Sequence, residues 1–217
     1  MIAVGNGWLG VAVPAIAVYC SASERIDPVH VALAAEVGSL IAARGHSLVS
    51  GGGSLSMMGA VARAVREGGG RTYGVIPRAL LDKEVGDRYA DELVVTDGMR
   101  ERKGLMDEAS DAFVVLPGGL GTLEELIEVW SARALALHTK PVVVCDPTGV
   151  LTGLRRAVDD LVDQGFVQPA AAADVTWTTS AAEALDVVEA GLAAARHLPE
   201  PAPAPEVREQ EGLESGV

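Results

Sequence analysis

Three stretches of this chain combine glycine, hydroxyl and charge in patterns suited to anion chemistry. The run Leu116-Pro117-Gly118-Gly119-Leu120-Gly121-Thr122-Leu123-Glu124-Glu125 follows an apolar segment and opens an amphipathic one. Glycines at such a turn let backbone amides approach a phosphate without Cβ obstruction, and the amide-rich start of a helix attracts the anion. The turn lacks the Gly-Lys-Ser/Thr ending of a nucleoside-triphosphate P-loop, and it lacks the third glycine of a dinucleotide fingerprint. What remains is a phosphate cradle over Gly118–Thr122, a hydroxyl at Thr122, and two carboxylates at Glu124 and Glu125. Thr122 and Glu125 are three apart and share one helix face. A capping box, with Thr122 as the cap and Glu125 returning to its amide, explains the same spacing without any chemistry.

The second stretch, Gly51-Gly52-Gly53-Ser54, sits directly after Leu48-Val49-Ser50 and before another amphipathic run. It reads equally as an anion-binding turn and as a tight connection that binds nothing. The third, Arg100-Glu101-Arg102-Lys103, concentrates positive charge in a chain of net charge −13. Arginine's planar fork suits phosphate or carboxylate, although a solvated helix face paired with Glu101, Asp107 and Glu108 is the plainer account. A literal G-x-G-x-x-G at Gly5, Gly7 and Gly10 is a decoy, because no full strand precedes it.

These turns need strands and helices to hold them, and the pattern supplies both. Short β-branched runs predict strands at Ala15–Tyr19, Ser47–Ser50, Thr72–Ile76, Leu93–Val95, Ala112–Leu116, Val142–Cys145 and Asp174–Trp177. Amphipathic stretches predict helices at Val29–Ala43, Leu55–Glu67, Arg100–Ala109, Thr122–Leu137, Leu151–Gln164 and Ala181–Ala195. Such alternation implies right-handed crossovers and a doubly wound, mostly parallel α/β sheet, with ligands beyond the carboxyl ends of the strands. Apolar residues form 49% of the chain and aromatics only 4%, so Val, Leu, Ile and Ala must fill the core. The long connection over Pro77–Asp91 reads as a lid or a surface excursion. The 217 residues divide into an N-terminal extension (1–12), a single domain (13–197) and a tail (198–217). Four prolines and a Glu-rich end predict disorder in that tail.

The acidic balance argues against nucleic-acid polymers and anionic membranes as partners, since both require a basic field. Cys20 and Cys145 stand in separate apolar segments, so neither a disulfide framework nor a metal cluster is expected. The apolar N-terminus has no basic residue before Arg25 and is interrupted by Pro14, unlike a signal peptide. The expected location is cytoplasmic.

Taken together, the motifs resemble the LONELY GUY family, cytokinin riboside 5′-monophosphate phosphoribohydrolases often mislabelled as lysine decarboxylases. The resemblance runs from about Ile16 to about Val188. It is carried by Pro117–Glu125, similar to P-G-G-x-G-T-x-x-E, and by Met99-Arg100-Glu101-Arg102-Lys103, similar to M-x-x-R-K. Val18-Tyr19-Cys20-Ser21-Ala22-Ser23, Gly51-Gly52-Gly53, Met58-Gly59, Gly74-Val75-Ile76-Pro77 and His138-Thr139-Lys140-Pro141 support it. The resemblance implies a Rossmann-like fold, a homodimer or larger homo-oligomer, and a reaction that needs no cofactor or metal. It implies Arg102 and Glu125 as the catalytic pair. It places Glu84, Lys103, Gly118, Gly119, Leu120, Gly121, Thr122, Leu123, Glu124 and Ser131 on nucleotide-contacting positions; Gly52, Gly53 and Ser54 join them as a second anion turn. One stretch departs: where the family carries Thr-Trp-x-Gln-Leu-Gly, this chain has Ser131-Ala132-Arg133-Ala134-Leu135-Ala136.

The implied reaction is hydrolysis of the N-glycosidic bond of a nucleoside 5′-monophosphate, AMP or an N6-prenylated AMP, to free base and ribose 5-phosphate. Its oxocarbenium-like sugar calls for a nearby carboxylate, by the logic of glycoside hydrolysis; Glu125 is the candidate. Arg102 either holds the nucleotide or assists departure of the base. Three rivals stand beside this reading. One is a pyrimidine-nucleotide glycosidase on the same fold, and another is a non-catalytic nucleotide-binding module. The third is a pyridoxal-phosphate decarboxylase, for which Lys83, Lys103 and Lys140 lack the context of a Schiff-base lysine.

Overall fold

A computed structural model describes residues 13–81 and 85–195. The extension with its Gly5–Gly10 motif, Glu84 and the tail from 198 lie outside the described residues. Seven strands form one sheet: β1 (Ala15–Tyr19), β2 (Ser47–Ser50), β3 (Thr72–Pro77), β4 (Glu92–Thr96), β5 (Ala112–Val115), β6 (Val142–Cys145) and β7 (Val175–Thr178). Their order is β4-β3-β2-β1-β5-β6-β7, and every neighbouring pair is parallel. This is the α/β doubly wound sheet that the strand–helix alternation predicts. The helices are α1 (Pro28–Ala43), α2 (Ser56–Glu67), α3 (Met99–Glu108), α4 (Leu120–Ala134), α5 (Thr152–Asp163), α6 (Pro169–Ala172) and α7 (Ala181–Ala195).

Side-chain alternation along β1 explains why the central strand is apolar throughout. Ile16, Val18 and Cys20 enter one core with α1, α2 and α7, while Ala15, Ala17 and Tyr19 enter the other, with α3 and α4. Both faces are covered, so polar alternation has no place to appear. Ile16 lies in register with Leu48 on one side and Ala112 on the other. Strand order reverses between β1 and β5, so the segments leaving those two strands diverge and open a crevice at their carboxyl ends.

Several boundaries differ from expectation. α4 starts at Leu120, two residues before the predicted Thr122, because Gly119 is extended (φ −93°, ψ −157°) and serves as the N-cap. It stops at Ala134 rather than Leu137. Ala136 turns left-handed (φ 56°), and the Arg133 guanidinium folds onto the carbonyls of Thr139 and Lys140. α6 and a 3₁₀ turn at Arg78–Leu80 were too short to show a period. The described part of the 77–91 connection is anchored rather than loose. Gly53 pairs with Gly86 in an antiparallel bridge, and Asp87 accepts from Arg66 at 2.7 Å. Among the described residues no helix is long and apolar enough to cross a membrane.

Candidate active site

At the crevice between β1 and β5 lies a cavity of about 340 Å³. One wall is the segment leaving β1, from Tyr19 to Ala22. The opposite wall is the start of α4, with Gly119, Gly121, Thr122, Glu124 and Glu125. α3 contributes Met99 and Arg102, and the first residue after β2, Gly51, closes the side. Met58 and Leu80 supply apolar surface. Three strand-to-helix connections thus converge on one space, as the topology requires.

Arg102 is 5% exposed, far more buried than a solvated helix face permits. Its Nη2 donates to the Gly51 carbonyl at 3.2 Å, and Nη1 points at the Met99 sulfur at 3.8 Å. The fit depends on the absence of a side chain at 51: a Cβ built there would stand 1.9 Å from Arg102 Nη2. The solvated-face reading of Arg102 is therefore set aside. Lys103, one residue on, does something else. It pairs with Glu124 and Glu128 across the α3–α4 boundary, and those two carboxylates raise its pKa. It does not line the main cavity.

At the glycine turn, Thr122 is the third residue of α4 and not its cap, and no side chain caps the helix. The capping-box account of Thr122 and Glu125 is overturned, because the helix begins at Leu120. Thr122 is buried and packs against Gly118, where a Cβ would collide with its hydroxyl. The opening amides of α4 face a cavity and supply a site for an anion. Leu120 points away from it, 86% exposed, and Leu123 packs on the core. Glu125 faces Tyr19 and Cys20: it contributes, after burial, to raising both of their pKa values. Asp107 and Glu128 also act on the Tyr19 phenol, which stacks on Phe113 at 5.9 Å.

The remaining predicted residues are not brought to this cavity. Gly52 packs against Ile76 and Leu93 with φ 72°, Gly53 pairs with Gly86, and the Ser54 hydroxyl donates to the Val85 carbonyl. Of that turn only Gly51 reaches the site. Ser131 is exposed on the outer face of α4 and donates to the Glu128 carbonyl at 3.0 Å. The site's Tyr19, Ser21, Ala22 and Met99 were not picked out as site residues from sequence, although Tyr19 ends a strand flanking the reversal point and was legible there. Among the described residues no lysine lines the cavity, and no group of acids, histidines and cysteines could hold a metal ion.

Comparison with known proteins adds to this geometry. Residues 58–188 match the family model described as "possible lysine decarboxylase". A Mycobacterium tuberculosis protein named cytokinin riboside 5′-monophosphate phosphoribohydrolase is 54% identical over 159 residues, 72% of this chain and 83% of that one. A protein of the same name from Arabidopsis thaliana is 41% identical over 155 residues, 71% of this chain and 68% of that one. Among solved structures, the Moco carrier protein from Chlamydomonas reinhardtii superposes with a TM-score of 0.63 at 26% identity, covering 84% of this chain and 99% of that one.

Proposed function

The chain belongs to the LONELY GUY family of cytokinin riboside 5′-monophosphate phosphoribohydrolases, and on that premise we propose that it hydrolyses the N-glycosidic bond of an adenine-type nucleoside 5′-monophosphate. The observation that carries the proposal is the convergence of Arg102, Glu125 and the start of α4 on one cavity at the strand-order reversal. The 5′-phosphate rests on the Gly119–Thr122 amides, so binding energy far from the scissile bond positions the ribose. Glu125 lies one helical turn beyond Thr122, beside the ribose. As the bond from C1′ to the base breaks, its electron pair leaves with the base and positive charge builds on the sugar. The Glu125 carboxylate stabilises that charge and takes a proton from the water whose oxygen bonds to C1′. A guanidinium keeps its proton in proteins; Arg102 therefore acts by charge and hydrogen bonding, and the proton gained by the base comes from Glu125 or solvent.

Support for a hydrolase over a decarboxylase comes from the lysines. Lys103 is engaged by Glu124 and Glu128 and Lys140 by Asp107, so neither is poised as a Schiff-base nucleophile. We further propose a cytoplasmic homodimer. Ile127, Leu135 and Leu137 expose apolar surface on and just after α4, and burying it against a second copy would remove that surface from water. Light scattering that finds monomer alone at working concentration contradicts the dimer. Incubation with AMP and adenosine, followed by chromatography of free base and ribose 5-phosphate, tests the activity. The proposal expects products from AMP and little from adenosine. Equal rates on both contradict the phosphate's role.

A further inference from the structure

Asp87 is 4% exposed and does not line the cavity, and a buried carboxylate is costly unless it is paired and hydrogen-bonded. Both conditions are met. One oxygen accepts from Arg66 Nη1 at 2.7 Å and the other from the Tyr89 amide at 3.1 Å. The Asp87 amide donates to the Gly52 carbonyl at 2.8 Å. Beside it, Gly53 pairs with Gly86, and the amide and hydroxyl of Ser54 both donate to the Val85 carbonyl. Val85 is left-handed (φ 48°), a costly conformation for a β-branched residue. Strain of this kind persists only where the surroundings over-determine the backbone, and these bonds do so.

What they hold is a wall of the cavity. Gly86 donates to the Leu81 carbonyl at 3.1 Å, and Leu80, one residue before, lines the cavity. The helix α2 ties the two sides together. Met58 in its first turn lines the cavity, and Arg66 in its last turn holds Asp87. At 1.5 Å per residue these positions are about 12 Å apart along one rigid element. The Gly51–Ser54 segment is therefore a bracket: Gly51 leaves room for Arg102, and the next three residues secure Val85, Gly86 and Asp87.

We infer that Asp87 is a positioning residue for the hydrolysis. Clasped by Arg66, it fixes Leu80 against the substrate and so sets how tightly the nucleotide is held, without touching it. This role rests on the hydrolase reading of the cavity. The test compares KM and kcat for ribose 5-phosphate release from AMP in the wild type, Asp87→Asn, Arg66→Gln, Leu80→Ala and the double variant Asp87→Asn/Leu80→Ala, each beside a melting curve. Loosening a wall that binds ground state and transition state alike raises KM and spares kcat. An apolar contact in a pocket is worth about tenfold or more, so each single variant is expected to raise KM by about that factor. The double variant should match Leu80→Ala, because changes acting through one contact do not add. A merely structural pair would lower the melting temperature and leave KM at the wild-type value. That outcome in Asp87→Asn, or in Arg66→Gln where Asp87→Asn does not fold, overturns the role, as do single effects that multiply in the double variant. If the wild type releases no ribose 5-phosphate from AMP, the hydrolase reading fails by itself. Equilibrium binding of AMP to the same variants then decides the clasp: affinity about tenfold weaker sustains it, and unchanged affinity contradicts it.

Discussion

Substituting Gly51→Ala probes the site through a residue that need not touch the substrate's reacting atoms. The backbone at 51 needs no left-handed conformation, so alanine is tolerated there locally. Its Cβ, however, would stand 1.9 Å from Arg102 Nη2 and 2.9 Å from the Met58 methyl. Carbon and nitrogen need about 3.5 Å, so the guanidinium must retreat by roughly 1.5 Å. Both obstructing atoms are ends of flexible side chains, and the backbone can stay in place. Arg102 loses its bond to the Gly51 carbonyl, a charged hydrogen bond worth about 1.5–3 kcal/mol. Reduced unfolded-state entropy returns about 0.4–1 kcal/mol. The net loss is about 1–2 kcal/mol, a fall of a few degrees in melting temperature for a domain of this size. A displacement of about 1 Å in a positioned group costs on the order of a hundredfold in rate. Steady-state ribose 5-phosphate release from AMP, beside a melting curve, is the assay. A folded Gly51→Ala protein with wild-type turnover refutes the importance of where Arg102 lies.

Other predictions concern the surroundings of the site. Glu124→Gln together with Glu128→Gln removes both partners of Lys103 and should lower the Lys103 pKa, measurable by NMR titration; an unmoved pKa contradicts the pairing. Burial lowers the His138 pKa, so the unfolded chain binds that proton first as pH falls. The fold should keep its full stability above about pH 6.5 and lose some below it. His138→Gln should flatten that part of the melting-temperature profile, and an unchanged profile contradicts it. Burial raises the Cys20 thiol and pushes Cys145 up to about 11, so thiol reagents at neutral pH should label the native protein slowly and the unfolded protein fast. Truncation after His197 should leave activity and melting temperature unchanged, because the removed segment has little apolar surface to bury; a substantial drop in either contradicts this.

The sheet was legible because each strand is a short β-branched run bounded by turn residues, and burial on both faces leaves a continuous apolar signature at Val142–Cys145 and Ala112–Val115. The start of α4 was not. Gly121 lies inside the helix, where glycine is disfavoured, so the pattern suggested a beginning at Thr122 and with it a false capping box. Gly51-Gly52-Gly53-Ser54 looked like one anion turn, yet its glycines serve different neighbours: Arg102, the β3–β4 side chains, and Gly86. Sequence spacing cannot separate these, because each partner lies at least 23 residues away along the chain. Lys103 was grouped with Arg102 by adjacency, but consecutive helical residues point about 100° apart. One enters the cavity and the other bridges to α4.

Glu125→Gln is the most direct test of the central claim. Glu125 lies outside any helix cap, since α4 begins at Leu120 with Gly119 before it, and glutamine preserves the shape of the side chain. The carboxylate's charge and basicity are what the substitution removes. The account predicts a folded protein that binds AMP and releases ribose 5-phosphate at least about a hundredfold more slowly. Turnover close to wild type would contradict the account, because the sugar cation and the attacking water would then not depend on Glu125.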